Sequence, residues 1–391
     1  MTADADHPGV RIALVSDTYT PQVNGVTTVL RRIVRAVGDA GHLAAMVAPA
    51  YPGGHPPDPL ELRVPSLPFP PYPSIRLSFP LTRRIDRFLD HFEPDLVHVA
   101  TEGPLGVVGR SWALKHDVPL MTSFHTDFPR YTRDYHAGVL EPAVWKWLAW
   151  FHRPARLTHT PGEGTRAELL AHGISHAVIW GRGVDSTHFN PARRMAACRR
   201  WLAGSDDAAI VLHVGRLAPE KNLEVLADAW RLSHDALGQR VTFALAGAGP
   251  LSRRLRSRLP FARHIGFLDR ETLATLYASA DLCVLPSKTE TCGLVALEAM
   301  ASGLPVVAAN AGGLKESVRH RQTGFLVSPD EPHEYASAIT ELVEQPLVRR
   351  EYGAAARHAA VERDVRPEDA ELIAQYAAVS GKPEGTASCA A

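Results

Sequence analysis

Net charge is what this 391-residue chain lacks: 42 lysines and arginines are offset by 42 aspartates and glutamates. Without an excess of one sign there is no global field to recruit nucleic acid, and membrane attraction must come from a local patch. Cysteine is scarce. The four present, Cys198, Cys283, Cys292 and Cys389, show no CxxC spacing, so reduced thiols of a cytosolic protein are expected rather than a disulfide framework or a thiolate metal site. No apolar run approaches the roughly 20 residues of a membrane span. The opening MTADADHPG is polar and acidic, unlike a secretory signal. These absences predict a cytoplasmic protein, attached at most to the inner face of a membrane. The sole DxD, Asp4-Ala5-Asp6, sits in this opening stretch and is read as incidental.

What is present is the alternation of an α/β chain, too long for one ordinary core. A buried strand is expected at Val10–Ser16, a helix from about Val26 to Gly41, and further strands at Ala44–Val47, Leu96–Ala100 and Pro119–Ser123. A second half starts near Ala208. It reads as strand 209–214, helix 223–236, strand 241–246, helix 251–258, a strand near 264–266 and helix 271–279, then a unit over 281–309. Such alternation predicts parallel sheets covered by helices on both faces. The turn-rich WGRGVDSTHFNP, Trp180 to Pro191, marks the join, and the tail from Gly381 reads as disordered.

Four segments carry chemistry. In SKTETCGLVALEAMASGLPVVAA, Ser287 to Ala309, Glu290 and Glu298 stand eight residues apart around a Thr291-Cys292-Gly293 turn that opens an Ala-rich helix. The unpaired N–H groups at such a helix start, with the positive end of its dipole, form a seat for phosphate. Glu290 can accept from sugar hydroxyls, and Glu298, about two turns on, can reach a ribose. In HVGRLAPEKN, His213 to Asn222, Arg216 and Lys221 precede a helix whose dipole prefers anions, which makes sense if a diphosphate lies between them. Asn24-Gly25 allows close backbone approach to an anion at the start of the first long helix. His125, in Ser123-Phe124-His125-Thr126-Asp127, follows a strand, where a reacting sugar can be touched. Each segment alone also fits ordinary α/β architecture. Their order is what weighs.

Strand–GR–x4–K, the turn Ala246-Gly247-Ala248-Gly249-Pro250 and the E-x7-E segment together resemble family 4 of the retaining nucleotide-sugar glycosyltransferases, over roughly Val10 to Tyr376. SDTYTPQVNGV, FHTDF and Gly181–Asp185 look most like the bacterial GDP-mannose-dependent α-mannosyltransferase branch. The resemblance implies a GT-B fold of two Rossmann-like domains facing across a cleft. An acceptor domain is expected over 1–180, joined by a C-terminal crossing helix at about 357–379, which Pro367 should kink or break. The donor domain is expected over 181–356 and a disordered tail over 380–391. It further implies that Glu290 and the Thr291–Leu294 backbone (including Cys292, Gly293 and Leu294) hold the donor sugar and phosphate. Glu298 would bind the ribose, Arg216 and Lys221 the diphosphate, Gly25 the distal phosphate, and His125 the sugar's primary hydroxyl and reacting face. Cys292 replaces a usual aromatic, Ala248 a usual acidic residue, and Pro161-Gly162 a usual Pro-Ser.

The reaction implied is transfer of a hexose, mannose from GDP-mannose, to a lipid-linked or glycan acceptor. The leaving phosphate itself takes the acceptor's proton, and no metal or other cofactor is needed. A UDP-glucose or other UDP-sugar donor, a GT-B epimerase and a non-catalytic nucleotide-sugar-binding protein remain as alternatives. For the acceptor side, Pro73 to Asp90 mixes Arg76, Arg83, Arg84 and Arg87 with apolar residues. It reads equally as a peripheral contact with an anionic membrane or as a core-packing amphipathic helix. Trp145, Trp147 and Trp150 line an acceptor cleft or fill a core.

Overall fold

The computed structural model describes residues 9–382 except 23, 54–57, 70–71, 126–128, 130–137, 182 and 204–207. It divides into two compact units, one of residues 1–181 with 367–391 and one of 182–366.

The first unit is built on a seven-stranded parallel sheet. In chain order its strands are β1 (Arg11–Val15), β2 (Leu43–Pro49), β3 (Glu61–Val64), then, after the antiparallel hairpin β4 (Ser66–Phe69) and β5 (Tyr72–Ser78), β6 (Leu96–Val99), β7 (Leu120–Ser123), β8 (Leu157–Thr160) and β9 (Ala177–Ile179). Their spatial order is β3-β2-β1-β6-β7-β8-β9. Every residue of β1, β6 and β7 is buried. Burial on both faces is why these strands do not alternate apolar and polar residues. The connecting helices are α1 (Gly25–Asp39), α2 (Thr82–Phe92), α3 (Pro104–Lys115), α4 (Glu141–His152) and α5 (Glu163–Ala171).

The second unit repeats the plan with β10 (Ala209–Val214), β11 (Val241–Ala246), β12 (Arg263–Gly266), β13 (Leu282–Leu285), β14 (Val306–Ala309) and β15 (Gly324–Val327). Their parallel order is β12-β11-β10-β13-β14-β15. Its helices are α6 (Ala196–Ala203), α7 (Leu223–Leu237), α8 (Ser252–Arg258), α9 (Arg270–Ser279), α10 (Leu294–Ala301), α11 (Leu314–Ser317), α12 (Pro332–Glu344) and α13 (Pro346–Val361). One core lies on each face of this sheet. Tyr277, Met300 and Leu314 pack on one side, and Trp230, Phe243 and Tyr335 on the other. Both sheets follow the doubly wound Rossmann order, in which the chain reverses direction between the first and fourth strands. The switch points therefore fall between β1 and β6 and between β10 and β13.

The expected crossing helix at 357–379 is two helices. α13 ends at Val361, and α14 (Val365–Ser380) begins after Asp364, whose backbone N–H donates to Val361 and whose side chain accepts from Ser186 Oγ at 2.5 Å. The break precedes Pro367, which sits in the first turn of α14, where an N–H has no intrahelical acceptor to lose. α14 returns to the first unit, with Arg32 bridging Glu368 and Asp369 at 3.0 and 2.5 Å. The expected disorder of 380–391 is corrected for its start: Ser380 closes α14 and Lys382 pairs with Asp95 at 2.8 Å. Residues 383–391, like Asp4–Asp6, lie outside the described residues.

The segment 73–90 is not one amphipathic helix. It runs from strand β5 into α2, and Arg76 turns back to donate to Ser66 Oγ at 3.0 Å. On α2 the apolar Ile85, Leu89 and Phe92 enter the core while Arg83, Arg84 and Arg87 stay exposed. Trp145 is likewise core, whereas Trp147 and Trp150 lie tilted against each other at 4.9 Å and are exposed.

Candidate active site

Of the nine residues singled out, Gly25 and His125 belong to the first unit and the other seven to the second. All follow C-terminal ends of strands, where ligands sit in such sheets.

In the second unit the loop after β10 is held by close backbone packing. Gly215 donates to the carbonyl of Ala246 and Leu217 to that of Ala248, both at 3.0 Å. A Cβ on Gly247 would lie 1.9 Å from the Gly215 carbonyl oxygen, so only glycine fits there. The loop then makes a single 3-10 turn, Pro219–Lys221, and α7 follows through a left-handed Asn222. This geometry brings Lys221 onto Glu290, which stands after β13, in a partly buried ion pair. Arg216, 41% exposed, pairs with Glu220. Burial opposes ionisation of Glu290, but Lys221's charge and hydrogen bond, with a bond from Ser287, hold its carboxyl below the usual range. His213 stands beside this pair, with Nδ1 2.8 Å from the Val284 carbonyl. A carbonyl only accepts, so Nδ1 carries the proton. Burial pushes its pKa down to about 4, and the ring is neutral.

The Glu290 loop is clamped from the other side by Gly312-Gly313. Gly313 donates to the Glu290 carbonyl at 2.6 Å, and a Cβ on either glycine would collide with the backbone of 290–291. Cys292 is half-buried, and Gly293, at φ 71°, is the left-handed N-cap of α10 with no side-chain cap. The first N–H groups of α10, from Leu294 on, therefore begin directly behind the Thr291–Gly293 turn. Glu298, on α10, accepts from the buried Tyr277 hydroxyl at 3.2 Å. Burial outweighs that bond and pushes its pKa up to about 7. At the end of β12, Gly266 is left-handed, and the next residue, Phe267, stands 62% exposed.

In the first unit, Asn24 caps α1 by accepting from Thr27 N at 2.8 Å. A Cβ on Gly25 would meet nothing within 4 Å, so packing does not require glycine there. His125 directly follows Phe124, whose N–H donates to the His159 carbonyl at 2.8 Å. Burial, then the neighbouring His159, hold His125 down to about 4, so the imidazole is neutral.

Several participants escaped the sequence reading. Tyr277, Glu220, His213 and the Gly312-Gly313 clamp all touch site residues or their loops. Gly312-Gly313 carried the one local signal, two adjacent glycines after a strand. Asp17, after β1, is another. It accepts from Leu105 N at 3.0 Å and Thr101 Oγ1 at 2.9 Å, capping α3 at the first switch point.

Comparison with known proteins decides the family. A model described as Glycosyltransferase Family 4 matches residues 23–188, and one described as Glycosyl transferases group 1 matches residues 208–345. A protein of Mycolicibacterium smegmatis named GDP-mannose-dependent alpha-mannosyltransferase is 37% identical over 381 residues, 95% of this chain and 98% of that protein. The chain belongs to glycosyltransferase family 4. As a member it is a hexosyltransferase. The Arabidopsis thaliana sulfoquinovosyl transferase SQD2 is 35% identical over 311 residues, 77% of this chain and 60% of that protein. Among solved structures, the Anabaena protein HepE in complex with UDP aligns with a TM-score of 0.75 at 21% identity, covering 94% of this chain and all of that one. The two Rossmann-like units are those of the GT-B fold.

Proposed function

We propose that the chain is a retaining α-mannosyltransferase that takes mannose from GDP-mannose and places it on a lipid-linked or glycan acceptor, without a metal. The observation that carries the chemistry is the Lys221–Glu290 pair. It joins a cation suited to a departing diphosphate with a carboxylate suited to sugar hydroxyls, at the second sheet's switch point. As the anomeric bond breaks, negative charge grows on the leaving phosphate, and Lys221, Arg216 and the start of α10 stabilise it electrostatically. Glu290 holds the sugar, Glu298 the ribose, and the departing phosphate takes the acceptor's proton on the same face. The neutral His125 meets the primary hydroxyl without adding positive charge beside an oxocarbenium-like sugar. Gly25 receives the distal phosphate.

Mannose rests on the 37% identical relative named for GDP-mannose. A second reading, a UDP-sugar donor, draws on the Anabaena protein HepE, which was solved in complex with UDP. Thermal shift against GDP-mannose, UDP-glucose and UDP-galactose separates them. Stabilisation by GDP-mannose alone, with GDP released on acceptor addition, is expected; stabilisation by UDP-glucose or UDP-galactose instead excludes the mannosyl assignment. The acceptor is proposed to be met at the inner face of a membrane. Leu67, Leu77, Phe79 and Leu81 are each 44–57% exposed and precede the exposed Arg83, Arg84 and Arg87 of α2.

A further inference from the structure

Two buried histidines converge on one spot in the first unit, and the half-buried His125 neighbours them. His98 on β6 and His159 on β8 flank Ser123 of β7, and their rings meet edge to face at 5.4 Å. His98 is fully bonded, with Nδ1 2.7 Å from the Tyr376 hydroxyl and Nε2 2.7 Å from Ser123 Oγ. His159 Nε2 lies 2.7 Å from Gln375 Oε1, and since an amide oxygen only accepts, Nε2 carries the proton. Trp180 stacks on His159 at 5.0 Å. The third histidine is His125, two residues beyond Ser123, reached through the Phe124–His159 backbone bond.

An apolar side chain at 98 or 159 would fill the same space without desolvating a polar ring, so packing alone does not account for this network. Its two outer members, Gln375 and Tyr376, are adjacent on α14, a helix that otherwise only closes the unit. We propose that Gln375 and Tyr376 are positioning residues for His125: through His159 and through His98 with Ser123, α14 holds in place the strand end that presents His125 to the donor sugar. The inference rests on the proposed contact of His125 with that sugar. Burial keeps the cluster uncharged, with His125 and His159 down to about 4 and His98 well below its ordinary value. The charged groups facing it are known. Arg32 lies over Trp180 and pairs with Glu368 and Asp369. Glu371 accepts from Gln375 at 2.9 Å. On the far side, the buried Glu102–His152 pair is tied to β7 through Thr122 at 2.9 Å.

The test is nucleoside diphosphate release by the full chain from about pH 3.5 to 9, with melting temperatures in parallel. Tyr376→Phe removes one hydrogen bond and little volume. It should lower kcat about tenfold, the factor a lost positioning bond typically carries, and leave the donor KM within about twofold. Gln375→Glu sets a carboxylate against His159 and favours its charged form. The acid limb of the kcat profile should therefore move to higher pH by about one unit. His125→Ala separates the two levels of the argument. If it turns over normally, the reading of His125 itself fails. If it is inactive while Tyr376→Phe and Gln375→Glu keep the parent's kcat and pH profile, the positioning role alone is overturned, whatever happens to their melting temperatures.

Discussion

At the scale of single residues, the site is a set of charges balanced before any substrate arrives. Lys221 faces Glu290 and Arg216 faces Glu220. On the proposed mechanism a bound diphosphate competes for both cations, and each is needed when the leaving group gains charge. Lys221→Ala or Arg216→Ala should thus lower turnover by about 10²–10³ in initial-rate assays; near-parental rates in both folded variants would remove them from the mechanism. Glu298 makes a different prediction. Its pKa is raised from 4.5 to about 7 by burial, so near pH 6 the folded chain keeps a proton that the unfolded chain gives up. That contribution to stability is full below pH 4.5 and is lost as pH rises through about 7. Glu298→Gln should melt higher than the parent at pH 8, and the gain should fade toward pH 5. On the proposed role of Glu298 at the ribose, only its carboxylate would accept from both hydroxyls, so the parent's donor KM should rise as pH falls below about 7, and Glu298→Gln should flatten that dependence. A flat parental KM from pH 6 to 8 would detach Glu298 from the nucleotide. Apart from Arg216 and Glu220, four residues apart, these pairings were not legible in the sequence beyond the residue types. Tyr277 stands 21 positions before Glu298 and Glu290 stands 69 after Lys221, and only the folded sheet makes them neighbours.

Elements were far more legible than contacts, for a physical reason. Strands buried on both faces, such as 209–214 and 241–246, advertise themselves as apolar runs, and the helices between them carry their own period. The misreading came where an amphipathic pattern spans two element types. Residues 73–90 carry enough arginine and leucine to suit a helix, yet the chain pairs first as a hairpin before α2 starts at Thr82. The correction changes the membrane argument. Arg76 is spent on Ser66 and stands over Tyr51, leaving Arg83, Arg84 and Arg87 on α2 beside the exposed Leu77, Phe79 and Leu81. The three exposed arginines should drive co-sedimentation with vesicles containing anionic lipid, and added salt should weaken it, with screening over about 10 Å at 0.1 M. Changing all three to glutamate should abolish the association and spare donor binding. If the parent does not sediment with such vesicles at low salt, the acceptor is better sought among free glycans.

At the scale of the whole molecule, two sheets with the same strand order place their ligand loops at equivalent positions, after the first strand and across the reversal. This duplication is why weak motifs gained meaning from their order: the Asn24-Gly25 loop follows β1 as the Gly215–Lys221 loop follows β10. With 42 charges of each sign, the chain has no long-range field to draw in an anionic donor. On the proposed function, the charge that meets the diphosphate is therefore local. On the proposed mechanism it consists of Arg216, Lys221 and backbone N–H groups, and a divalent ion would only repeat their work. Turnover should consequently persist in excess EDTA, and added magnesium or manganese should change it by no more than about twofold, well short of the 10²–10³ expected for an essential electrostatic group. The comparison gains force with Lys221→Ala. If a metal partly substitutes for the missing ammonium, magnesium should raise the variant's rate while leaving the parent's unchanged. Full loss of parental activity in EDTA, restored by magnesium, would instead assign the leaving-group charge to a metal and demote both cations to donor binding.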